Sequence, residues 1–361
     1  MKVLLLELNE VTWRLIDPLI VSRELPTFAR LVRDGMSATT ISADEPPHVD
    51  PRTTWNTVYS GTPVPVHTST LEQRPETPHA RRVWEIAGDA GRRVGVYGSL
   101  NAWPPHPVRG FIVPDSFAPS PETYPPSLRV VQEMNLRYMR GDGDGVFRDG
   151  SPRAAVMAGA RLLRLGLRPT TIARVVAQLV RERLVPRSGW RRTCLPTLLN
   201  FDVFRRLYRR HRPHFATFHT NHVAHYQRLY WRAKGSSALP HAPLPGEVET
   251  YAGAIAHGYR VADRLLKQAL RLVDRDTMLV VASGVGQPTR SGSPHPEGMV
   301  MFYGRGVRPG RLEHPISTLD LAPTMLRLLR LPVPPAMTGR DLLAAARERA
   351  LQKAAAVLRE A

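Results

Sequence analysis

The sequence has a single cysteine, Cys194, among 361 residues. One thiol can form neither an internal disulfide bond nor a cysteine-rich zinc site. This excludes the class of small secreted domains that disulfides hold together. It also suits the chain to a reducing compartment.

Long apolar runs are also lacking. The first ten residues, MKVLLLELNE, contain a short apolar run that Glu7 interrupts, whereas a secretory signal needs a longer unbroken one. No window approaches the roughly 18 consecutive apolar residues of a membrane span. We therefore expect a soluble, cytoplasmic protein that begins with a buried strand.

Acidic and aromatic residues are few relative to basic ones. The chain has 50 basic and 31 acidic residues, a net charge of +19, and 7% aromatic residues. Such a field favours anionic, phosphate-bearing partners. Nearly all the basic residues are arginine, however, and genome composition explains that bias equally well. Because aromatic stacking platforms are few and no nucleic-acid-binding motif is present, we predict no specific nucleic-acid partner.

Apolar runs typical of strands alternate with helical patterns. The helix predicted from Thr12 to Val32 is broken near Pro18 and Pro26, and we expect Gly35 to end it in the left-handed conformation. This alternation predicts an α/β fold with a doubly wound, mostly parallel sheet. The predicted strands are Val3–Leu8, Val94–Leu100, Thr277–Gly286 and Met299–Gly304; the other predicted helices are Thr53–Tyr59, 83–93 and 317–331, the last capped by Ser317 or Thr318.

The region 125–195 interrupts this rhythm. It contains the turn-forming GDGDG and two very basic helical patterns, RAAVMAGARLLRLGL and TIARVVAQLVRERLV. These helices suit a cap over the active site, or peripheral contact with an anionic membrane. A solvated arginine face on a packed helix explains them as well. We expect a core of 1–124 and 196–345, this insertion, and a C-terminal helix, 346–361.

Several segments resemble the type I phosphodiesterase and nucleotide pyrophosphatase branch of the alkaline phosphatase superfamily. The resemblance covers about two thirds of the chain and is most specific in the last two segments. The segments are LPTFARLVRDG, SGTPVPVH, AGRRVGVYGSLNAWPP with VRGFIVPD, HPEGMVMFYGRGVRPG and STLDLAPTMLRLLRLPVPPAMTGRDL.

The resemblance implies a hydrolase with two metal ions at the C-terminal ends of the strands and a Ser or Thr nucleophile. Two such cations stabilise both the attacking and the leaving oxygen at phosphorus. At the first ligand position, where the family has Asp, this chain has Asn9. An amide oxygen can coordinate a metal but brings no charge. Glu7 or Glu10 could compensate, or both could form local caps and salt bridges.

The nucleophile position falls on Pro51 when the segment before Trp55 is aligned without gaps. Proline has no nucleophile. A shift of one or two residues would place Thr53 or Thr54 there, so we name both as candidate nucleophiles. A threonine at the start of a helix is also a common capping residue.

The remaining ligand positions are partly lost. The Asp-x-x-x-His pattern is matched by Asn221 and His225, and the His before Pro-x-Gly is kept as His295. The Asp-His pair expected after the strand 277–283 is replaced by Gly284 and Val285. The resemblance therefore implies a degenerate metal site, with Asn9, Asn221, His225 and His295 as candidate ligands for one divalent metal, Zn or Mn, or for none.

Three functions are consistent with these residues. The first is a phosphoester hydrolase with a reduced metal site, in which His225 acts as a ligand or as an acid–base group. Its substrate would be a phosphorylated small molecule or a glycan or lipid phosphate. The second is an inactive pseudoenzyme that binds anions or acts as a scaffold. The third is binding of nucleic acid or an acidic membrane.

Overall fold

The computed structural model describes residues 1–45, 48–64, 80–139, 163–234, 246–287 and 294–344. Within them, nine strands form one sheet, and helices cover both of its faces. The strands are β1 (Lys2–Leu8), β2 (Met36–Ile41), β3 (Val94–Tyr97), β4 (Gly110–Val113), β5 (Phe215–Thr220), β6 (Thr277–Ser283), β7 (Glu297–Tyr303), β8 (Gly310–Arg311) and β9 (Ile316–Ser317).

Among the described residues, two or three α-helices follow each of β1, β2, β4 and β5, and one follows β9. Short 3₁₀ segments, among them Pro186–Cys194 and Thr318–Asp320, join some of them. The α-helices are α1 (Trp13–Val21), α2 (Pro26–Asp34), α3 (Pro51–Ser60), α4 (Val83–Asp89), α5 (Arg129–Arg137), α6 (Pro169–Leu184), α7 (Leu195–His211), α8 (His222–Tyr230), α9 (Glu247–Tyr251), α10 (Ala254–Ala269) and α11 (Leu321–Leu328).

The sheet has the order β4-β3-β5-β1-β6-β7-β2-β8, with β9 also paired to β2. Strand β1 lies at its centre, parallel to β5 and β6. Strand β7 is antiparallel to both of its neighbours, β6 and β2. It is the one strand of the described sheet that runs against the rest. The predicted α/β fold with a mostly parallel sheet is thus confirmed.

Both faces of the sheet are covered by apolar cores. On one face, Leu4, Leu6 and Leu8 of β1 pack in a core that includes residues of α2, α7, α8 and α10. On the other, Val3 and Leu5 pack with residues of α3, α4 and α11. Because β1 is buried on both sides, its sequence is an almost continuous apolar run.

The glycines that follow helices α3 and α2, Gly61 and Gly35, have different backbone conformations. Helix α3 ends at Gly61, which has a left-handed φ of 62°, as a glycine after a helix often does. Gly35 also follows its helix, but its φ is −123°, so the expectation of a left-handed glycine is wrong there. A β-carbon at Gly35 would lie 2.5 Å from the carbonyl oxygen of Phe302. Close packing against β7 accounts for this glycine.

The basic insertion is helical where the structure describes it. The pattern TIARVVAQLVRERLV corresponds to α6, whereas GDGDG and 153–162 lie outside the described residues, as do 65–67 of the SGTPVPVH segment. The C-terminal helix 346–361 also lies outside them. The proposed division into core, insertion and C-terminal helix therefore stays a prediction. None of the helices in the described ranges combines the length and the apolar character that a membrane span requires.

Candidate active site

The predicted site residues lie at the carboxyl edge of the parallel strands. Asn9 follows β1 directly, and Asn221 follows β5. Strand β7 runs in the opposite direction, so its first residues start at this same edge, with His295 two positions before it. Ligand sites of α/β sheets are typically found at this edge, because the loops there converge.

Asn9, Asn221 and His225 form one hydrogen-bonded chain that begins at Trp55. The indole Nε1 of Trp55 donates to Oδ1 of Asn9 at 3.0 Å. Nδ2 of Asn9 donates to Oδ1 of Asn221 at 2.7 Å, and Nδ2 of Asn221 lies 3.3 Å from Nε2 of His225. Three of the four predicted metal-ligand residues are thus in direct contact.

The direction of this chain is fixed at the tryptophan end. An indole N–H can only donate, so Asn9 must turn its amide oxygen toward Trp55 and its NH₂ group toward Asn221. Asn221 must then accept through its oxygen and point its own NH₂ group at His225. Nε2 of His225 accepts this hydrogen, so the proton of the neutral imidazole lies on Nδ1.

The surroundings of His225 favour its neutral form. Burial lowers its pKa, and the nearby positive charge of Arg228 lowers it further. A protonated imidazole would also place an N–H against the NH₂ group of Asn221. At neutral pH the site therefore contains a neutral His225 that can donate a hydrogen bond from Nδ1.

His295 has other partners at the same edge. Its Nε2 lies 3.3 Å from Nη2 of Arg14, and its Nδ1 accepts from the backbone N–H of Glu297 at 3.2 Å. Arg14 also forms a salt bridge with Glu297. Burial and the charge of Arg14 lower the pKa of His295, while Glu297 opposes them. A guanidinium group thus occupies the position beside Nε2 where a metal ion would bind.

The two candidate nucleophiles, Thr53 and Thr54, are fully buried at the start of α3. The hydroxyl of Thr53 donates to Asp50, which caps the helix. The hydroxyl of Thr54 lies 3.1 Å from that of Ser42. Ser42 in turn bonds Asp44, whose pKa is raised by burial against hydrogen bonds from Thr57, Thr54 and Ser42.

Position 284, directly after β6, has no room for the Asp side chain that the family resemblance places there. A β-carbon at Gly284 would lie 2.8 Å from Cγ2 of Thr54. The methyl group of Thr54 thus fills the space that an Asp side chain would need.

A buried polar cluster lies beside the site, on the α3 side of the sheet. Glu7 accepts hydrogen bonds from Tyr59 at 2.7 Å and from Ser99 at 2.9 Å, and its carboxylate lies 3.1 Å from Nδ1 of His219. The ring of Trp55 meets that of His219 edge-on, with 5.5 Å between centroids. This cluster supports the indole that orients Asn9, so Glu7 acts beneath the site.

Glu10 is the other residue that could supply a negative charge to a metal site, but its carboxylate is paired with Arg228. It has a left-handed φ of 59°, and its Oε1 accepts from Arg228 at 2.5 and 3.1 Å. Burial raises its pKa, while Arg228 lowers it. Glu10 is thus paired with Arg228 and Glu7 with its own hydrogen-bond donors, so neither takes the place of the carboxylate that the resemblance implies at the position of Asn9.

These residues do not fit a divalent metal. One lone pair of each amide oxygen of Asn9 and Asn221 already accepts an N–H, the single lone pair on Nε2 of His225 does the same, and none of the three side chains carries a negative charge. A metal site needs free lone pairs, usually with carboxylate charge. In the described ranges, no three or more His, Cys, Asp and Glu residues are grouped to hold a metal ion.

A cavity of about 100 Å³, lined by both polar and apolar side chains, adjoins the chain of amides. At about 30 Å³ per water molecule, it has room for about three waters or one small polar group. Among the described residues that line it, none is a lysine, arginine, aspartate or glutamate. The lining includes His219, Asn221 and His225 from β5 and α8, Asn135 and Tyr138 from α5 and its continuation, and Thr193 and Asn200 near the start of α7.

Sequence reasoning brought Asn9, Asn221 and His225 together correctly but missed two partners of the site. Trp55 entered only as a reference for counting to the nucleophile, and Arg14 was not considered. Nothing in the sequence marks either one, because both contacts depend on how a helix packs against the sheet, α3 for Trp55 and α1 for Arg14. The catalytic and metal-binding roles of Thr53, Thr54, Asn9, Asn221, His225 and His295 stay predictions.

Solved structures of phosphonate monoester hydrolases share the fold. The enzyme from Silicibacter pomeroyi superposes with a TM-score of 0.52 over 94% of this chain and 75% of that one, at 15% sequence identity. The enzyme from Agrobacterium radiobacter gives 0.52 over 95% and 76%, at 14% identity. By sequence, the chain matches no protein-family model and no curated protein. The similarity confirms the alkaline phosphatase-like α/β fold.

Proposed function

We propose that the chain hydrolyses an ester of a tetrahedral oxyanion, a phosphoryl or phosphonyl group, at the carboxyl edge of the sheet. The observation that carries this proposal is the directed chain from Trp55 through Asn9 and Asn221 to His225. This series of hydrogen bonds presents N–H groups, and in the described structure no carboxylate is hydrogen-bonded to any of its four side chains.

The chemistry of these groups suits an oxyanion. Each NH₂ group has a second hydrogen beyond the one used in the chain, and the neutral His225 adds Nδ1–H. Fixed, neutral donors of this kind stabilise charge that develops on oxygen in a low-dielectric site. Arg14, which lies at the same edge beside His295, can add a positive charge. We propose that this set replaces the metal ions that the family resemblance implies.

The substrate class follows from the same features. The fold is that of enzymes named phosphonate monoester hydrolases. The segments that resemble type I phosphodiesterases favour a phosphodiester. We propose a phosphorylated small molecule, or a glycan or lipid phosphate, whose polar substituent enters the uncharged cavity beside His225.

The test uses the purified full chain with four nitrophenyl substrates: a phosphodiester, a phosphonate monoester, a phosphate monoester and a sulfate ester. Each is assayed with a chelator and with added Zn²⁺ or Mn²⁺. We expect turnover of at least one phosphorus ester in the presence of the chelator. Replacing His225 by Ala, or Asn221 by Ala, should lower it by about 100-fold.

A matched control is His314→Ala, because His314 is exposed and lies outside the site. Its turnover should equal that of the unchanged protein. Turnover that the chelator abolishes, or that survives in His225→Ala, would contradict the proposal. The candidate nucleophiles are tested in the same assay by Thr53→Val and Thr54→Val, with Thr39→Val, on strand β2, as the control.

A second candidate function is binding of the same anions without turnover. It is favoured by the burial of both threonine hydroxyls, each of which is hydrogen-bonded to another side chain. Calorimetric titration with phosphate and with a non-hydrolysable diester separates the two functions. Binding that His225→Ala abolishes, with no turnover of any substrate, supports this candidate.

A further inference from the structure

Helix α6 exposes an apolar stripe to solvent. The exposed fractions of Val176, Val180 and Leu184 are 51%, 50% and 77%. These residues are four positions apart, so they lie along one side of the helix, and Ala173 and Ala177 continue the same stripe. Of the eleven exposed large hydrophobic side chains in the described structure, five lie between Leu163 and Val185.

The other side of α6 holds the helix against the protein. Thr171 and Val175 are buried, and Gln178 donates to the carbonyl oxygen of Ser188 in the following 3₁₀ segment. At its start, Arg168 forms an ion pair with the buried Asp202 of α7. The exposed stripe is therefore presented by a helix that is fixed in place.

Positive charge surrounds the stripe. Between Leu163 and Leu195 the sequence has eight arginines and one acidic residue, Glu182. Arg174, Arg181 and Arg183 are exposed on the helix itself, and Arg187 follows it. An exposed apolar stripe bordered by arginines is the pattern of a helix that lies in the plane of a membrane surface.

We propose that this outer face of α6, formed by Ala173, Val176, Ala177, Val180 and Leu184 with the flanking arginines, binds the surface of an anionic lipid bilayer. The apolar side chains enter the boundary between headgroups and acyl chains. The arginines pair with lipid phosphates, and each adds about a fivefold increase in partitioning. The proposal is independent of hydrolysis at the site.

Charge and shape favour a bilayer over two other partners. A second copy of the chain would bring the same arginines face to face, which like charge disfavours. A nucleic acid would bind through its phosphates to the arginines alone, and the exposed valine and leucine side chains would add nothing to that binding. Only a surface that is both anionic and apolar complements every residue of this face.

The test is co-sedimentation of the full chain with vesicles of phosphatidylcholine, alone or mixed with phosphatidylglycerol. We expect binding to the mixed vesicles that weakens as salt is raised. In the double variant Val180→Asp with Leu184→Asp, binding should be weakened by about tenfold or more. The double variant Arg181→Gln with Arg183→Gln keeps the apolar stripe and should also bind more weakly.

Val21→Asp is the matched control, because Val21 is 82% exposed on α1, outside this face. It should bind the mixed vesicles as the unchanged protein does. Three results would overturn the proposal: equal binding of all variants, salt-sensitive retention on DNA that Val180→Asp with Leu184→Asp leaves unchanged, or a dimer in light scattering that this double variant dissociates. Circular dichroism verifies that each variant is folded.

Discussion

The methyl group of Thr54 occupies the space that a side chain at Gly284 would need. A β-carbon added to Gly284 would lie 2.8 Å from Cγ2 of Thr54 and 3.7 Å from Cγ2 of Val58. Real β-carbons do not approach other carbons so closely. Thr54, a buried candidate nucleophile, thus packs directly against the position where the resemblance implies an Asp.

This relationship predicts a coupled pair of substitutions. Gly284→Ala should lower the free energy of unfolding by about 1–3 kcal/mol, because the new methyl group overpacks the site. Thr54→Ser removes Cγ2 but keeps the hydroxyl near Ser42. In the double variant the cost of Gly284→Ala should fall by about 1 kcal/mol, which urea unfolding of all four proteins would measure.

Gly88→Ala serves as the control for this cycle. Gly88 lies in α4, and a β-carbon there would meet nothing within 4 Å. Its replacement should leave stability unchanged or raise it by up to about 1 kcal/mol. If Gly284→Ala behaves in the same way, the proposed overlap with Thr54 is wrong.

Trp55→Phe should allow the side-chain amides of Asn9 and Asn221 to adopt either orientation. Without the indole N–H, Asn9 no longer has to present its oxygen to residue 55, and the hydrogen-bond direction toward His225 is lost. We expect the nitrogen NMR shifts of His225 to change from those of a single Nδ1–H tautomer to a mixture.

Trp13→Phe makes the same chemical change elsewhere. The indole of Trp13 donates to the carbonyl oxygen of Ala38 at 2.9 Å, outside the chain of amides. The His225 spectrum should not change in this variant. An unchanged spectrum in Trp55→Phe would show that the tautomer is set by something else.

Asn221→Asp should raise the pKa of His225. In the native protein, burial and Arg228 hold that pKa below its ordinary value. A carboxylate about 3.3 Å from Nε2 would stabilise the protonated ring, by about one pKa unit or more. NMR titration would measure it, and His295, which bonds Arg14 and Glu297, provides an internal reference. A pKa of His225 that stays the same or falls would contradict the assigned contact.

His222 should make the protein less stable in mild acid. It is buried, its Nδ1 lies 2.8 Å from the hydroxyl of Thr220, and its Nε2 lies 3.1 Å from the carbonyl oxygen of Gly258. Burial lowers its pKa to about 3, against the hydrogen bond to Gly258. Between pH 6.5 and about 3 the unfolded chain therefore binds one more proton than the folded protein, and unfolding becomes easier as the pH falls.

The slope approaches about 1.4 kcal/mol per pH unit for this histidine. His222→Gln keeps a donor for Gly258 but does not titrate. Urea unfolding at pH 7 and pH 5 should show a loss of stability about 1–2 kcal/mol smaller in this variant than in the native protein. His314→Gln, an exposed replacement, should show the full loss. Equal losses in all three proteins would exclude the role of His222.

The sequence predicted strands at β1, β3, β6 and β7, but not at β2, β4, β5, β8 and β9. The run of β1 and that of β6 are buried on both faces, so hydrophobicity alone marks them. The segment MSATTI of β2 mixes small and polar residues, and its strand is defined by pairing with β7. The direction of β7 was also beyond prediction, because a strand has the same residue pattern whichever way it runs.

Asn9, Asn221 and His225 were named from the family resemblance. The structure brings Asn9 and Asn221 into contact because they follow neighbouring parallel strands, β1 and β5. The contact of Trp55 with Asn9 depends on how α3 packs against the sheet, and that of Arg14 with His295 on the placement of α1. How a helix packs depends on many side chains of the core at once, and no local sequence pattern predicts it.

Because β7 alone points the other way, the chain leaves β6 and re-enters the sheet at one rim. The last residue of β6, Ser283, and the first residue of β7, Glu297, therefore lie at the same edge of the sheet as Asn9 and Asn221. Insertions or replacements between Ser283 and Glu297 can alter chemistry while every strand keeps its partners. The sheet pairing therefore leaves the residues at positions 284 and 285 open to replacement, whereas the strands on either side are held by their partners.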